Sequence, residues 1–262
     1  MARIIAIANQ KGGVGKTTTA INLGASLAIA EKRTLVVDSD PQSNASSGLG
    51  VTIDPDCPDL YDCLVDGAPV REAIRTSVHF PLLDMIPARR DLAGAELELI
   101  DRPKRERVLR GILEPVRDDY DYVLIDSPPS LGLLTLNALV AADTVLIPIQ
   151  CEFYALEGLS QLLNTVRIVQ RKMNTQLGIE GVLLTMYDSR LNLSKQVKGE
   201  AEEYFGAKVF KTAIPRNVRL AEAPSFGQPI ALYDVLSTGA RGYLSRAAEI
   251  VRTDERRKAS VA

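Results

Sequence analysis

The sequence predicts a single α/β domain in which helices flank a mainly parallel β-sheet. Two observations carry this prediction: apolar runs typical of strands recur along the chain, and segments of helical periodicity separate most of them. The runs are Ile4–Ala8, Thr34–Val37, Leu82–Ile86, Tyr122–Ile125, Thr144–Ile149 and Gly181–Met186. Their hydrophobicity is continuous rather than alternating, which favours strands buried on both faces with helices as crossovers.

The length and composition are those of one compact unit. A chain of 262 residues with 46% hydrophobic content can bury one sizeable core, and no linker-like break interrupts the alternation. We therefore expect one domain over residues 1–252 and a solvated, flexible tail over 253–262. The chain starts almost at once with a strand and lacks the apolar region of a secretory signal, and its longest uncharged stretch is shorter than a bilayer span. These features predict a cytoplasmic protein without a membrane span.

Two helices are predicted by their apolar spacing. The first lies between Thr17 and Ala30 and packs behind the loop that follows the first strand. The second runs from Tyr154 to Met173, where leucines and valines from Leu156 onward repeat at helical spacing. Packing against the sheet accounts for both patterns.

The loop between the first strand and the first helix has the composition of a phosphate cradle. It reads Lys11-Gly12-Gly13-Val14-Gly15-Lys16-Thr17-Thr18. The glycines allow backbone N–H groups to surround phosphate oxygens, Lys16 supplies positive charge, and Thr17 offers a hydroxyl to Mg²⁺. The sequence therefore predicts a P-loop nucleotide-binding domain. Gln10 replaces the first glycine of the ordinary motif, and Lys11 is a second lysine that the ordinary motif does not need.

Carboxylates follow two further predicted strands. Asp126 ends the run Tyr-Val-Leu-Ile-Asp, the form of a strand that places a carboxylate near Mg²⁺. Asp38 and Asp40 leave the second strand two residues apart, so both face one side if the chain stays extended. Because parallel strands end at one edge of a sheet, we expect the phosphate loop and these carboxylates to converge there. A turn-forming aspartate before Ser-Pro-Pro is the alternative interpretation of Asp126.

The pattern Lys-Gly-Gly-x-x-Lys-Thr, met from Lys11 to Thr17, resembles the deviant Walker A family of P-loop ATPases. With the stretches that begin at Val37, Leu124 and Ile214, most of the chain resembles the ParA/Soj partitioning ATPases. The resemblance implies that Lys11 crosses a dimer interface to the partner's ATP, and that Lys11, Lys16 and Asp40 are the catalytic residues. It assigns Thr17, Asp38 and Asp126 to Mg²⁺, Asp40 to the attacking water, and Pro215 and Asn217 to adenine. At these last two positions a plain turn competes with the adenine role. Ser39 occupies a position where members of this family usually have an apolar residue, and Ser43 a position where they often have glycine.

Charge is unevenly distributed, although the net charge is only −2. Residues 54–101 carry eleven acidic and four basic residues, whereas residues 190–219 carry seven basic and three acidic ones. The resemblance implies that Arg190 and Arg219 contact DNA without reading sequence, on a surface completed by dimerisation. Lys195, Lys198 and Arg216 are the other candidate DNA contacts. A charged, solvated face is the alternative interpretation of these residues.

The resemblance to the ParA/Soj ATPases implies an ATP-dependent homodimer that binds double-stranded DNA on the nucleoid and is released when a ParB-type partner stimulates hydrolysis. Because the phosphate loop starts near residue 10, we expect no N-terminal helix-turn-helix domain of the kind found in longer plasmid relatives. A MinD-like membrane switch is the alternative, and it needs a basic amphipathic anchor, for which only a modest apolar stripe from Tyr243 to Val251 is present. A metabolic P-loop enzyme is a further alternative. Three cysteines without metal-like spacing give little support to an iron–sulfur relative.

Overall fold

The computed structural model describes residues 1–152 and 159–261. Within them one six-stranded sheet has the order β3-β2-β4-β1-β5-β6, and every pairing is parallel. The strands are β1 (Arg3–Ile7), β2 (Thr34–Asp38), β3 (Leu83–Ile86), β4 (Tyr122–Asp126), β5 (Thr144–Gln150) and β6 (Gly178–Thr185). The predicted α/β class is confirmed, and the described strands are all parallel rather than mainly so.

Helices connect the strands and cover both faces of the sheet. They are α1 (Lys16–Ile29), α2 (Asn44–Gly48), α3 (Leu60–Leu64), α4 (Val70–Ala73), α5 (Leu92–Glu98), α6 (Val108–Leu113), α7 (Leu133–Ala141), α8 (Leu159–Lys172), α9 (Asn192–Phe205), α10 (Val218–Glu222), α11 (Ile230–Tyr233) and α12 (Thr238–Val261). The helix predicted after the first strand is α1. The second predicted helix is α8, and its predicted beginning at Tyr154 and Leu156 lies outside the described residues.

Successive residues of a strand pack on opposite faces of the sheet. Ile4 and Ala6 of β1 belong to one core with side chains of α7 and α8, while Ile5 and Ile7 belong to a second core with α1 and α12. This double burial explains why the strands read as continuous apolar runs.

The C-terminal ends of β1, β2 and β4 lie next to one another in the sheet. Register pairs Ile7 with Asp126 across β1 and β4, and Asp38 with Asp126 across β2 and β4. The loops that follow these three strands therefore meet at one edge of the sheet, which we call the carboxyl edge. The opposite edge, where the strands begin, is the amino edge.

The last helix extends into the segment expected to be a flexible tail. Helix α12 continues past Arg252 to Val261, and the Tyr122 hydroxyl donates a hydrogen bond of 2.8 Å to Asp254. Arg3 also pairs with Asp254, so this contact ties the helix to β1 and β4. In the apolar stripe of the same helix, Tyr243, Ala247 and Ile250 are buried in the core. Among the described helices, none is long and apolar enough to cross a membrane.

Candidate nucleotide-binding site

The loop between β1 and α1 has the backbone of an anion cradle. Gly13 and Gly15 adopt φ values of +74° and +84°, in the region that favours glycine. Helix α1 begins at Lys16, so its N-terminus, with unpaired N–H groups and a partial positive charge, opens onto the loop. The unpaired N–H groups and the partial positive charge can bind the oxygens of a phosphate group.

Two side chains that sequence reasoning missed hold this loop in place. Asn9 is buried, its amide donates to the Pro148 carbonyl at 2.7 Å, and its oxygen accepts from the Lys11 backbone N–H at 3.0 Å. The Thr185 hydroxyl donates to the Val14 carbonyl at 2.9 Å. Both side chains join the loop to distant strand ends, and no local pattern signals such contacts.

The two lysines of the loop have different environments. Lys16 is buried and its ammonium donates to the Lys11 carbonyl at 3.1 Å. Burial lowers the pKa of Lys16, while the charges of Asp126 and Asp40 act in the opposite direction. The Lys11 side chain is 35% exposed, and its Nζ lies 3.6 Å from Glu152 Oε2. Lys16 therefore belongs to the loop's own interior, whereas Lys11 faces outward.

Two buried carboxylates lie beside the loop. Asp38 accepts hydrogen bonds from the Ser46 N–H and hydroxyl at 2.8 and 2.7 Å. Burial raises the pKa of Asp38 to about 6. The two hydrogen bonds from Ser46 lower this pKa, and the charge of Asp40 raises it further. Ser46 is a further supporting residue that sequence reasoning missed.

Asp126 is fully buried, and neither of its carboxylate oxygens has a hydrogen-bond partner among the described residues. Burial, and then the charge of Asp38, raise its pKa well above the usual range, while the Thr17 hydroxyl and Lys16 oppose the rise. Two buried carboxylates next to a threonine hydroxyl form the hard oxygen set that Mg²⁺ prefers. The residues present therefore fit this cation.

Asp40 lies in a tight turn rather than on an extended strand. β2 ends at Asp38, whose carboxylate accepts from the Asp40 N–H at 3.2 Å, and Asp40 accepts from the Gln42 N–H at 2.9 Å. The predicted extended arrangement of Asp38 and Asp40 is therefore replaced by side-chain-to-backbone turns, which aspartates favour. Ser43 closes the turn at a φ of +54°, and Ser39 is buried with no hydroxyl partner in the described part of the chain.

A cleft of about 330 Å³ adjoins the phosphate loop and is lined by Gly15 and Thr18 on one side and by Pro215 and Asn217 on the other. The Asn217 side chain caps α10 by accepting from the Arg219 N–H at 2.8 Å, and its amide donates to Thr238 at 2.8 Å. Asn217 thus lies in a turn that begins α10, as the alternative interpretation of Pro215 and Asn217 predicted, and this segment forms one wall of the cleft.

Comparison with known proteins gives the family. A family model described as "AAA domain" matches residues 2–179. The sporulation initiation inhibitor protein Soj of Bacillus subtilis is 60% identical over 95% of this chain and 98% of its own length. The chromosome partitioning protein ParA of Myxococcus xanthus is 55% identical over 97% of this chain and 89% of its own. This chain belongs to the ParA/Soj family.

A solved structure agrees with the fold of this ParA/Soj chain. Cobyrinic acid a,c-diamide synthase from Mycobacterium smegmatis, with bound ADP and magnesium, superposes with a TM-score of 0.85 at 36% identity. The match covers 97% of this chain and 96% of the synthase. Nucleotide and magnesium are thus bound by a protein of the same fold.

Two of the basic residues expected at a DNA surface of this ParA/Soj chain, Arg190 and Arg216, are in loops that backbone pairing joins. Tyr187 pairs with Pro215 between the loop that carries Arg190 and the loop that carries Arg216. Arg190 lies just before α9, and its guanidinium donates to the Asp188 carboxylate at 2.7 and 3.0 Å.

The other expected DNA contacts differ in their surroundings. Lys195 and Lys198 are in α9, and Arg219 is in α10. Arg219 lies 2.9 Å from Glu222. Arg216 lies 4.0 Å from Glu152, the same carboxylate that contacts Lys11.

Proposed function

We propose that this protein is an ATP-driven DNA-partitioning switch: an ATP-bound dimer binds duplex DNA without reading sequence, and hydrolysis releases it. One observation carries the proposal, namely that Lys16 is buried in the phosphate loop while Lys11 faces outward. A loop that already holds one lysine does not need a second for its own phosphates, so Lys11 is available to a neighbouring subunit. The likeness to Soj and to a chromosome partitioning protein supports a role in partitioning.

Nucleotide binding would use the loop from Gly12 to Thr18 and the adjoining cleft. Backbone N–H groups and Lys16 would contact the phosphates, and the base would lie between Gly15 and the wall formed by Pro215 and Asn217. Thr17, Asp38 and Asp126 would hold Mg²⁺, which neutralises phosphate charge when bound.

Hydrolysis would depend on Asp40. This side chain is buried at the carboxyl edge, near enough to Lys16 to affect its pKa, and its turn fixes its position. A carboxylate so placed can orient the attacking water, and a partner's Lys11 can offset the charge that develops on the phosphate oxygens. A ParB-type protein would stimulate this step.

DNA binding would use Arg190, Lys195, Lys198, Arg216 and Arg219. All three arginines face acids of the same chain, Arg190 with Asp188, Arg216 with Glu152 and Arg219 with Glu222. The three guanidinium groups are exposed, and ion pairs of exposed groups contribute little stability, so phosphate groups can replace the acids. Because phosphates carry no sequence information, the resulting binding is nonspecific, which suits attachment to the nucleoid.

The experiment that tests this proposal compares the parent with Arg190→Ala/Arg219→Ala. We expect ATP-dependent dimerisation to survive and the affinity for unrelated duplexes to fall alike. The magnitude of the salt slope should fall by about 0.9 per phosphate contact, or roughly 3.6 if both arginines of both subunits make contacts. The matched control is Arg33→Ala/Arg71→Ala, which removes the same charge from exposed positions elsewhere. Parental affinity and salt slope in the first variant would reject this DNA surface.

Two other functions have weaker support. A MinD-like membrane anchor would need the apolar stripe of α12, but Tyr243, Ala247 and Ile250 are buried in the core. A synthase function has the likeness to the cobyrinic acid enzyme in its favour, at 36% identity against 60% for Soj. Vesicle pelleting tests the first, and ATP turnover that depends on a small molecule tests the second.

A further inference from the structure

A cleft with an excess of positive charge lies at the amino edge of the sheet, opposite the phosphate loop. It has a volume of about 510 Å³, and four of its lining side chains are Arg107, Arg110, Arg171 and Lys172. We call these four residues the basic cleft. Arg107 directly precedes the short helix α6 and Arg110 lies within it, whereas Arg171 and Lys172 lie in the last turn of α8. The two pairs are separated by about sixty residues of sequence.

The acids near the basic cleft do not balance its charge. Asp143 also lines the cleft, but both of its carboxylate oxygens accept from Arg117 at 2.7 Å. Arg107 lies 3.7 Å from Glu106. In the described part of the chain, the side chains of Arg110, Arg171 and Lys172 form no ion pair. Three cations that have no ion-pair partner among residues 1–152 and 159–261 thus line one concave surface.

A second cleft at the same edge provides a comparison. It is lined by Arg33 and Arg71 and by two acids, Asp84 and Asp119, and Arg71 lies 2.7 Å from Asp119. Its cationic and acidic side chains are therefore equal in number. Positive charge is therefore balanced by acids in this second cleft, whereas it is in excess in the basic cleft.

Helix ends explain only part of the arrangement. Arg110 lies in the last turn of α6, and Arg171 and Lys172 lie in the last turn of α8, where cations complement the helix dipole. That effect accounts for a cation at each helix end. It does not account for two helix ends directing their cations into one cleft, where the charges repel each other.

We propose that the basic cleft is a second DNA surface that binds the phosphate backbone of a duplex. The proposal rests on the proposed DNA-binding function. Three of the four side chains are arginines, whose guanidinium groups match phosphate oxygens in pairs. The cleft is concave and charged rather than broad and apolar, which favours a polyanion over a membrane surface.

The basic cleft is distant from the surface that carries Arg190. The cleft borders the beginning of β6, whereas Arg190 follows its end, and a strand of eight residues spans roughly 26 Å. Effects of substitution at sites so far apart are expected to add. The two surfaces can therefore be tested separately and in combination.

The test is Arg110→Ala/Arg171→Ala, measured in full-length protein with ATP and random-sequence duplex DNA. Both side chains are exposed, so the variant should fold and dimerise like the parent. We expect the affinity to fall about tenfold and the magnitude of the salt slope to fall by about 0.9 per lost contact, roughly 3.6 per dimer. Arg33→Ala/Arg71→Ala, from the balanced cleft, should keep parental values. Combination with Arg190→Ala/Arg219→Ala should add the two losses.

The outcomes separate the two proposals. If the parent itself binds DNA equally with and without ATP, the proposed switch fails. If the parent binds only with ATP, and Arg110→Ala/Arg171→Ala keeps the parental affinity and salt slope, the basic-cleft proposal is overturned while the switch stands. Binding of the parent and of Arg110→Ala/Arg171→Ala to vesicles of phosphatidylglycerol and phosphatidylcholine is measured in parallel. Loss of vesicle binding with unchanged DNA binding would also overturn the proposal, in favour of a membrane surface.

Discussion

Asp38 and Asp126 stand side by side on the adjacent parallel strands β2 and β4, whose register pairs these two residues. Both are buried, and their charges repel each other in a site that excludes water. Asp38 accepts two hydrogen bonds from Ser46, whereas Asp126 has the Thr17 hydroxyl nearby but accepts no hydrogen bond of ordinary geometry among the described residues. The nucleotide-free protein therefore carries an electrostatic cost at this position, and a divalent cation would relieve it.

This pair predicts an unusual dependence of stability on pH. A carboxyl group whose pKa is raised by folding, such as Asp38 at about 6, stabilises the folded state below its unfolded pKa, and this contribution is lost as pH rises through 6. Asp126→Asn removes one charge of the pair. We expect this variant to exceed the parent in free energy of unfolding by about 1 kcal/mol at pH 8, and the difference to shrink toward pH 5.

Chemical denaturation without nucleotide at both pH values measures this effect. Asp118→Asn, which removes an exposed carboxylate, should match the parent at both. An Asp126→Asn variant that gained nothing at pH 8 would contradict the proposed charge repulsion. In the parent, Mg²⁺-dependent nucleotide affinity should fall as pH decreases from 8 to 5, because protons compete with the cation.

Lys11 and Lys16 should differ in the step that their removal blocks. Lys16→Ala should lose nucleotide binding, because the phosphates lose a buried charged partner. Lys11→Ala should keep most nucleotide affinity and fail to dimerise, since its proposed contact is in the other subunit. Fluorescent nucleotide binding and light scattering measure the two steps. A stable ATP-dependent dimer of Lys11→Ala would reject the role in trans.

Glu152→Gln is the companion to Lys11→Ala. It removes the carboxylate 3.6 Å from the Lys11 ammonium but leaves the lysine in place. Exposed ion pairs contribute little, so we expect dimerisation to persist, with the midpoint ATP concentration lowered by no more than about fivefold. Loss of the dimer in this variant would mean that Glu152 has a required role within it.

Asp40→Ala should separate ATP binding from ATP hydrolysis. We expect the variant to bind ATP and dimerise, with turnover reduced by about a hundredfold, because a carboxylate that orients the attacking water contributes a factor of this order. Phosphate release measured beside DNA retention tests this. Parental turnover would mean that another residue positions the water.

The backbone conformation at Ser43 predicts that replacement of this residue by glycine stabilises the protein. Its φ of +54° strains a residue with a side chain, and its buried hydroxyl has no partner in the described structure. Ser43→Gly should raise the free energy of unfolding by up to about 1 kcal/mol, since the relief of strain exceeds the added freedom of the unfolded chain. Ser47→Gly, within the short helix α2, should instead lower it. A loss of stability in Ser43→Gly would contradict the strain.

The sheet and the phosphate loop could be predicted because their signals are local. Strands buried on both faces read as continuous apolar runs, and the loop needs glycines next to Lys16 and Thr17 within a few residues. The convergence of Asp38 and Asp126 also followed, because parallel strands end at the same edge.

The supporting contacts could not be predicted, because they join residues far apart in sequence. Thr185 contacts Val14 across 171 positions, and Asn9 contacts Pro148 across 139. Asp254, in the last helix, has a similarly distant contact with Tyr122. In the turn at Asp40, backbone N–H groups bond to aspartate side chains, a local alternative to the extended chain that spacing alone does not reveal.

The most direct test of the proposed switch is DNA binding measured with no nucleotide, with ADP and with ATP, while the oligomeric state is followed in the same samples. We expect duplex DNA to be bound only with ATP, over the ATP concentrations at which the dimer forms, and for Lys11→Ala to lose both together. Equal DNA affinity in all three nucleotide states, or DNA binding by a monomer, would contradict the proposal that ATP-driven dimerisation creates the DNA-binding form.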